Sequence, residues 1–326
     1  MNEIILILIS ILIFPGLLFL VVLSFLTQYA VRKLSARYQR RMGPSYVGPL
    51  GILQPFYDFW KLLRSKEIVK NKYSLVSAAE ISLLIGISSI VASVVLLPLS
   101  LYNIVSDFDI LIFFYMASVV PLFMMVIASL SMPGPYTSMG VSRLLSLATL
   151  SEPTYFASLI IPVYLATRQS GVFMSISSAY RNVLSIWLDP RGAVIMVLCL
   201  IAYIVAVQAK SMYQPFNIPE AEQEIIAGYE TEFSGPLLAL MNLFHDMDLA
   251  VSLIIGVYLL FGGPLPYSHT SPQGILMIII KYLILLVVVT LIKNIMGRYR
   301  IEQGLAQILK YGLVPSIMAS ILTFLF

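Results

Sequence analysis

The sequence predicts an all-α, polytopic membrane protein, and three observations carry that reading. Of the 326 residues 59% are hydrophobic and only 11% charged, with mean hydropathy +0.92, whereas a soluble domain carries about 25% charged residues. Apolar runs of about 20 residues, the length a helix needs to cross a bilayer, recur eight times. Lys and Arg collect in alternate connecting segments, the bias that orients membrane proteins.

The first run, 4–26, follows Met1-Asn2-Glu3. That start lacks the basic region of a cleaved signal peptide and the run is too long for one, so it reads as a retained helix. Pro15-Gly16 inside it predicts a kink. The polar stretch 27–76 has too few periodic apolar residues to form a core of its own. Its Gly43-Pro44 and Gly48-Pro49 pairs fix turns. Leu53, Phe56, Phe59, Trp60 and Leu63 then recur at helical spacing, predicting a helix lying in the membrane interface. Spans follow at 77–100, 108–131 (with Pro121), 144–166 (with Pro162), 191–209, 236–261, 274–293 and 306–326. The chain 1–326 thus reads as a single membrane domain, with loops at about 27–76 and 210–234 on one side.

Charge predicts which side. The first loop holds ten basic residues: Arg32, Lys33, Arg37, Arg40, Arg41, Lys61, Arg64, Lys66, Lys70 and Lys72. Alternate loops add Arg143, Lys210, Lys293, Arg298 and Arg300 to that side, against Arg168, Arg181 and Arg191 on the other. Fifteen against three places both termini outside and the 210–234 loop in the cytoplasm, in a multi-pass protein of the cell membrane.

A single cysteine, Cys199, cannot hold an iron–sulfur cluster or a structural zinc. His245 and His269 lie in different segments, which argues against a paired-histidine haem. The chain is therefore expected to carry no metal and no redox cofactor of its own, and nothing in it points to nucleic acid.

The acids are the sharpest signal. Five of sixteen fall in one loop: Glu220, Glu222, Glu224, Glu230 and Glu232. Asn217 can cap a helix and Pro219 suits its first turn, which would set the first three carboxylates at a favourable helix N-terminus. Glu220 and Glu224 would then repel at i, i+4, and crowded carboxylates raise one another's pKa toward values useful for proton transfer. Further in, His245 sits about ten residues into the sixth span, roughly 15 Å at 1.5 Å per residue. Asp246 and Asp248 follow it, Glu152 lies in the fourth span and Glu80 near the loop end of the second. Charges inside spans line ion paths or pair with one another; Arg143 and Lys281 are candidate partners.

Two segments together resemble a known family. Arg40-Arg41-Met42-Gly43-Pro44 through Gln54-Pro55, and Pro215-Phe216-Asn217-Ile218-Pro219-Glu220-Ala221-Glu222 through Glu232-Phe233-Ser234-Gly235, look like the signatures of the complex I (NADH:quinone oxidoreductase) membrane subunit that anchors the peripheral arm. That family includes the matching subunit of energy-converting, membrane-bound hydrogenases. Tyr136 to Glu152 resembles a third stretch. Where quinone-reducing members carry an arginine and, three residues earlier, a glutamate, this chain has Tyr213 and Lys210, with Gln214 in place of an alanine; the family glutamate of the next helix falls at His245. These departures look more similar to the hydrogenase-related branch.

The resemblance implies a membrane anchor and coupling subunit. Arg37, Arg40, Arg41, Gly43, Pro44, Gln54 and Pro55 would help dock a hydrogenase-like large subunit and an iron–sulfur small subunit. Those partners would hold the iron–sulfur clusters and the nickel–iron centre. The carboxylate and histidine series would relay redox events through the bilayer-embedded chain to antiporter-like subunits that move protons or sodium. The alternatives are the quinone-binding membrane subunit of an NADH:quinone oxidoreductase, an autonomous cation carrier, and a passive anchor.

Overall fold

The computed structural model describes residues 2–100, 106–168, 172–269 and 271–325, and every regular element among them is helical. Eight helices are long and apolar enough to cross a membrane: Ile7–Tyr38, Val76–Val95, Asp109–Leu130, Pro135–Thr167, Pro190–Lys210, Gly235–Phe261, Pro272–Ile295 and Ile301–Leu325. They are called the first to eighth spans. The first is interrupted between Leu12 and Leu17, at Pro15-Gly16. The expected interfacial helix is Gln54–Ser65, with Phe59 packed on Phe25 at 5.6 Å between ring centroids.

Three spans start or end well beyond the apolar runs that mark them. The first continues to Tyr38, the fourth starts at Pro135 and the eighth at Ile301. Backbone hydrogen bonding carries a helix on into polar sequence, which hydropathy does not register. Arg32, Lys33 and Arg37 consequently stand on helix rather than in a loop. A further helix, Ile176–Leu188, is too short to span and has no apolar run to announce it.

The sixth span is the axis of the bundle. Its most apolar window is 89% buried, against 28% for the first, seventh and eighth. It packs against the first and second spans, the interfacial helix, the seventh span and the Ile176–Leu188 helix. In a bilayer, lipid is as apolar as leucine, so helices associate through close fit and hydrogen bonds. Small residues supply the fit: a Cβ on Gly86 would fall 2.4 Å from the Phe244 ring, and one on Gly256 2.2 Å from Tyr203 Oη.

Two spans carry a π-turn two residues before a proline: Tyr115–Val119 before Pro121 and Leu309–Leu313 before Pro315. Proline has no N–H for the carbonyl one turn back, and π-turns mark such loosened backbone. In the third span the released carbonyls find side-chain donors, Ser89 Oγ on Met116 O at 2.7 Å and Lys210 Nζ on Ala117 O at 3.1 Å. Pro153 and Pro162 lie inside a fourth span that continues through both.

The loops between alternate spans meet on one face. Leu75 N donates to Ser131 O (2.8 Å), Val69 N to Ser234 Oγ (2.7 Å) and Tyr299 N to Pro215 O (3.0 Å). This face carries the acidic loop.

Candidate functional site: an acid–histidine cluster above a buried ion pair

Segment 211–234 does not form the helix its Asn217 and Pro219 suggest. One α-helical turn exists, Glu222–Ile225, its N-cap is Ala221, and no side chain caps it. Tertiary packing overrides the local signal. Ile218 and Ile225 are buried, and the chain reverses at Gly228, φ +56°, where a Cβ would fall 1.7 Å from Pro219 O. Glu220 and Glu224 therefore share no helical face. Glu224 is exposed and pairs with Arg143 at 2.5 Å, Glu222 is exposed, and Glu232 lies against Gly134.

Glu220 and Glu230 turn inward and meet His245. Tyr229 Oη donates to Glu220 Oε1 at 2.5 Å and lies 2.7 Å from His245 Nε2. His245 Nε2 is also 3.3 Å from Glu230 Oε1, so both neighbours favour a proton on Nε2. Burial first, and then the Glu230 charge, push the Glu220 carboxyl above its ordinary range, against the opposing pull of His245, Tyr229 and Lys293. Burial and the two glutamates likewise push the Tyr229 phenol up, so it stays protonated and can both give and accept a hydrogen bond. The result is a proton-sharing group of two carboxyls, a phenol and an imidazole. Glu220, Glu230 and His245 could also bring three ligand atoms to one cation, since these lie within 4.8 Å of one another. Tyr229 hydrogen-bonds two of them, Glu220 and His245.

A cavity of about 200 Å³ opens beside this cluster, lined among others by Tyr213, Gln214, Asn217, Asp246 and Lys293. The Lys293 ammonium sits 3.6 Å from the centroid of the Tyr213 ring, a cation–π contact. Burial and nearby acids, Asp246 first, keep Tyr213 a phenol.

One helical turn below His245, Asp248 forms a buried ion pair with Lys210. Glu152 of the fourth span accepts a hydrogen bond from Ser118, the residue after the carbonyl that Lys210 binds. A cavity of about 20 Å³ among Ser118, Glu152, Lys210 and Asp248 has room for one water. The third, fourth, fifth and sixth spans thus each contribute one polar group to a shared pocket. Arg143 and Lys281, the partners expected for the buried acids, are engaged elsewhere. Arg143 holds Glu224, and Lys281 donates to the carbonyls of Phe261, Gly263 and Leu265 at 2.8, 2.8 and 2.9 Å. Lys210 lies 38 residues from Asp248, and no local pattern joins them; Ser118 carries no sequence signal, and Tyr229 is marked only by lying within the acidic-loop segment. Glu80 is half-buried on the second span and makes no ion pair among the described residues.

Arg37, in the last turn of the first span, and Arg40 and Arg41 just after it are exposed. The turn around Gly43-Pro44 is pinned by Lys33 Nζ, which donates to Pro44 O at 2.6 Å. Pro55 is buried. Arg32 of the first span pairs with Asp58 Oδ2 at 2.6 Å and ties the interfacial helix to that span, while Gln54 Nε2, one turn back on the same helix, donates to Asp58 Oδ1 at 2.7 Å and orients the carboxylate.

A bundle with a proton-sharing cluster stacked over a buried ion pair has the make-up of an ion-handling membrane subunit. The chain belongs to the NADH dehydrogenase family, whose model matches residues 9–324. The same fold occurs in the structure of the membrane-bound sulfane sulfur reductase (MBS), an archaeal respiratory membrane complex. A chain there is 20% identical with a TM-score of 0.77, and the match covers 99% of this chain and 100% of that one. The protein is a membrane subunit of an ion-pumping redox complex.

Proposed function

We propose that this chain is the anchor and coupling subunit of a hydrogenase-related, ferredoxin-linked ion pump of the cell membrane. The first loop and the acidic loop would hold a hydrogenase-like large subunit and an iron–sulfur small subunit, and the bundle would adjoin antiporter-like subunits. Electron carriers would reside in the partners. The observation that carries this reading is the stacking of Glu220–Tyr229–His245–Glu230 one helical turn above Lys210–Asp248 and Glu152. A redox event that moves the acidic loop would change the charge around Glu220. With Glu220 ionised, Tyr229 would give its O–H proton to that carboxylate as its oxygen takes one from the His245 imidazolium at Nε2, and a bridging water would serve the three residues, about 4.5 Å of helix rise, between His245 and Asp248.

Two observations favour a branch that does not use quinone. Lys210 is committed to Asp248, and Tyr213 lies under Lys293. The adjoining cavity of about 200 Å³ is also smaller than the roughly 300–1,000 Å³ of ordinary ligand pockets.

The test compares Glu220→Gln, inside the cluster, with Glu222→Gln, which is exposed. Ferredoxin-driven turnover and ion uptake are measured together in proteoliposomes of the assembled complex. Loss of a positioned proton carrier costs about 10²-fold or more, so both rates should fall in Glu220→Gln and hold in Glu222→Gln. Wild-type uptake per electron and wild-type turnover in Glu220→Gln would sink the relay.

A further inference from the structure

On the loop face, apart from the acid–histidine cluster, a second cavity of about 200 Å³ is lined by Arg143, Arg298 and Arg300. Three guanidiniums face one acid there, Glu224, and Arg143 already pairs with it. Neither Arg298 nor Arg300 enters an ion pair among the described residues. Arg298 Nε is buried with no hydrogen-bond partner. A buried donor left unmet is costly, and a basic pocket with a vacant donor calls for an anionic acceptor. The walls are fixed beforehand: Tyr299 N donates to Pro215 O at 3.0 Å, and the Tyr299 ring packs edge-on against Phe216 at 5.9 Å. Ile218 and Ile301 add apolar lining.

We propose that this pocket binds a phosphate group, that of an anionic phospholipid at the edge of the bilayer. Guanidinium forks match phosphate oxygens bidentately, and basic pockets between spans are where lipid headgroups lodge. The pocket sits where the eighth span begins at Ile301, and that span is only 28% buried by protein, which leaves its flank to lipid. The site is independent of whatever the chain couples.

The experiment is native mass spectrometry of the assembled, delipidated complex, titrated with dioctanoyl phosphatidylglycerol and, in a parallel arm, with inorganic phosphate. Wild type should bind one phosphatidylglycerol saturably at this site. Arg298→Gln and the exposed Arg300→Gln should each weaken that binding about tenfold or more, as expected for loss of a charge-assisted hydrogen bond. Arg300 is exposed, so its replacement spares the fold, which circular dichroism checks. If the variants lose affinity for inorganic phosphate alone, the headgroup assignment is overturned. If wild type and both variants bind lipid and phosphate equally, the proposal falls and the arginines are left for a partner's carboxylate.

Discussion

Replacing Lys210 with methionine isolates the energetics of the buried pair. Its ammonium binds the Asp248 carboxylate and the Ala117 carbonyl and lies 5.3 Å from the Tyr155 ring centroid. The paired side chains are only 6% and 11% exposed, too buried for the ~0–1 kcal/mol of a surface salt bridge. Removing one member of such a pair strands the other charge, at about 3–5 kcal/mol. Lys210→Met and Asp248→Asn should each cost about that much. The double replacement strands neither member of the pair, and the loss of Lys210 beside Glu152 is common to both backgrounds that lack it, so the cost should fall at least about 2 kcal/mol below the sum of the singles. Ala117 O loses its donor in both backgrounds that lack Lys210, so that contribution, about 1 kcal/mol, cancels in the cycle. SDS-driven unfolding in mixed micelles, followed by far-UV circular dichroism, reads all four proteins. Additivity within about 0.5 kcal/mol would refute the reasoning.

The acidic loop should loosen as pH rises. The Glu220 carboxyl is held above its ordinary value of 4.5, and a carboxyl raised in the folded state contributes stability that is intact below that ordinary value and lost as pH climbs through the raised one. Hydrogen-exchange protection of residues 220–232, corrected for intrinsic rate, should fall across that window in wild type and stay level in Glu220→Gln; a level wild-type profile would contradict it. For orientation, thiols placed at Tyr46, 97% exposed, and at the exposed Gln223 should label only from the cytoplasmic side, with the fully buried Cys199 silent. Labelling from outside would invert the topology.

The eight crossings were legible because twenty apolar residues in succession suit little else than a bilayer, and the interfacial helix because Phe56, Phe59, Trp60 and Leu63 share one side. What hydropathy could not register was helix continuing into polar sequence, as at Pro135 and Ile301, or a helix of 13 residues such as Ile176–Leu188. Within the candidate site, His245, Glu152 and Asp248 stood out because charge in a span is rare. Their partners did not. Lys210 reaches Asp248, and Ser118 reaches Glu152, only through the packing of four spans. The acidic loop misled because Asn217 and Pro219 are genuine helix-start residues, yet the burial of Ile218 and Ile225 and the reversal at Gly228 decide the backbone there.

The far end of the sixth span is tied down. Gly262 closes it in a left-handed turn, φ +69°. Trp187 Nε1 holds Leu260 O at 2.7 Å, and Lys281 grips the carbonyls of Phe261, Gly263 and Leu265. A slide of one turn, about 5.4 Å, would break all four contacts at once, inside the most enclosed helix of the bundle. The helix that carries His245 and Asp248 is thus clamped at this end, and the proposed relay asks only for protons, waters and rotating side chains, with no sliding of the helix itself.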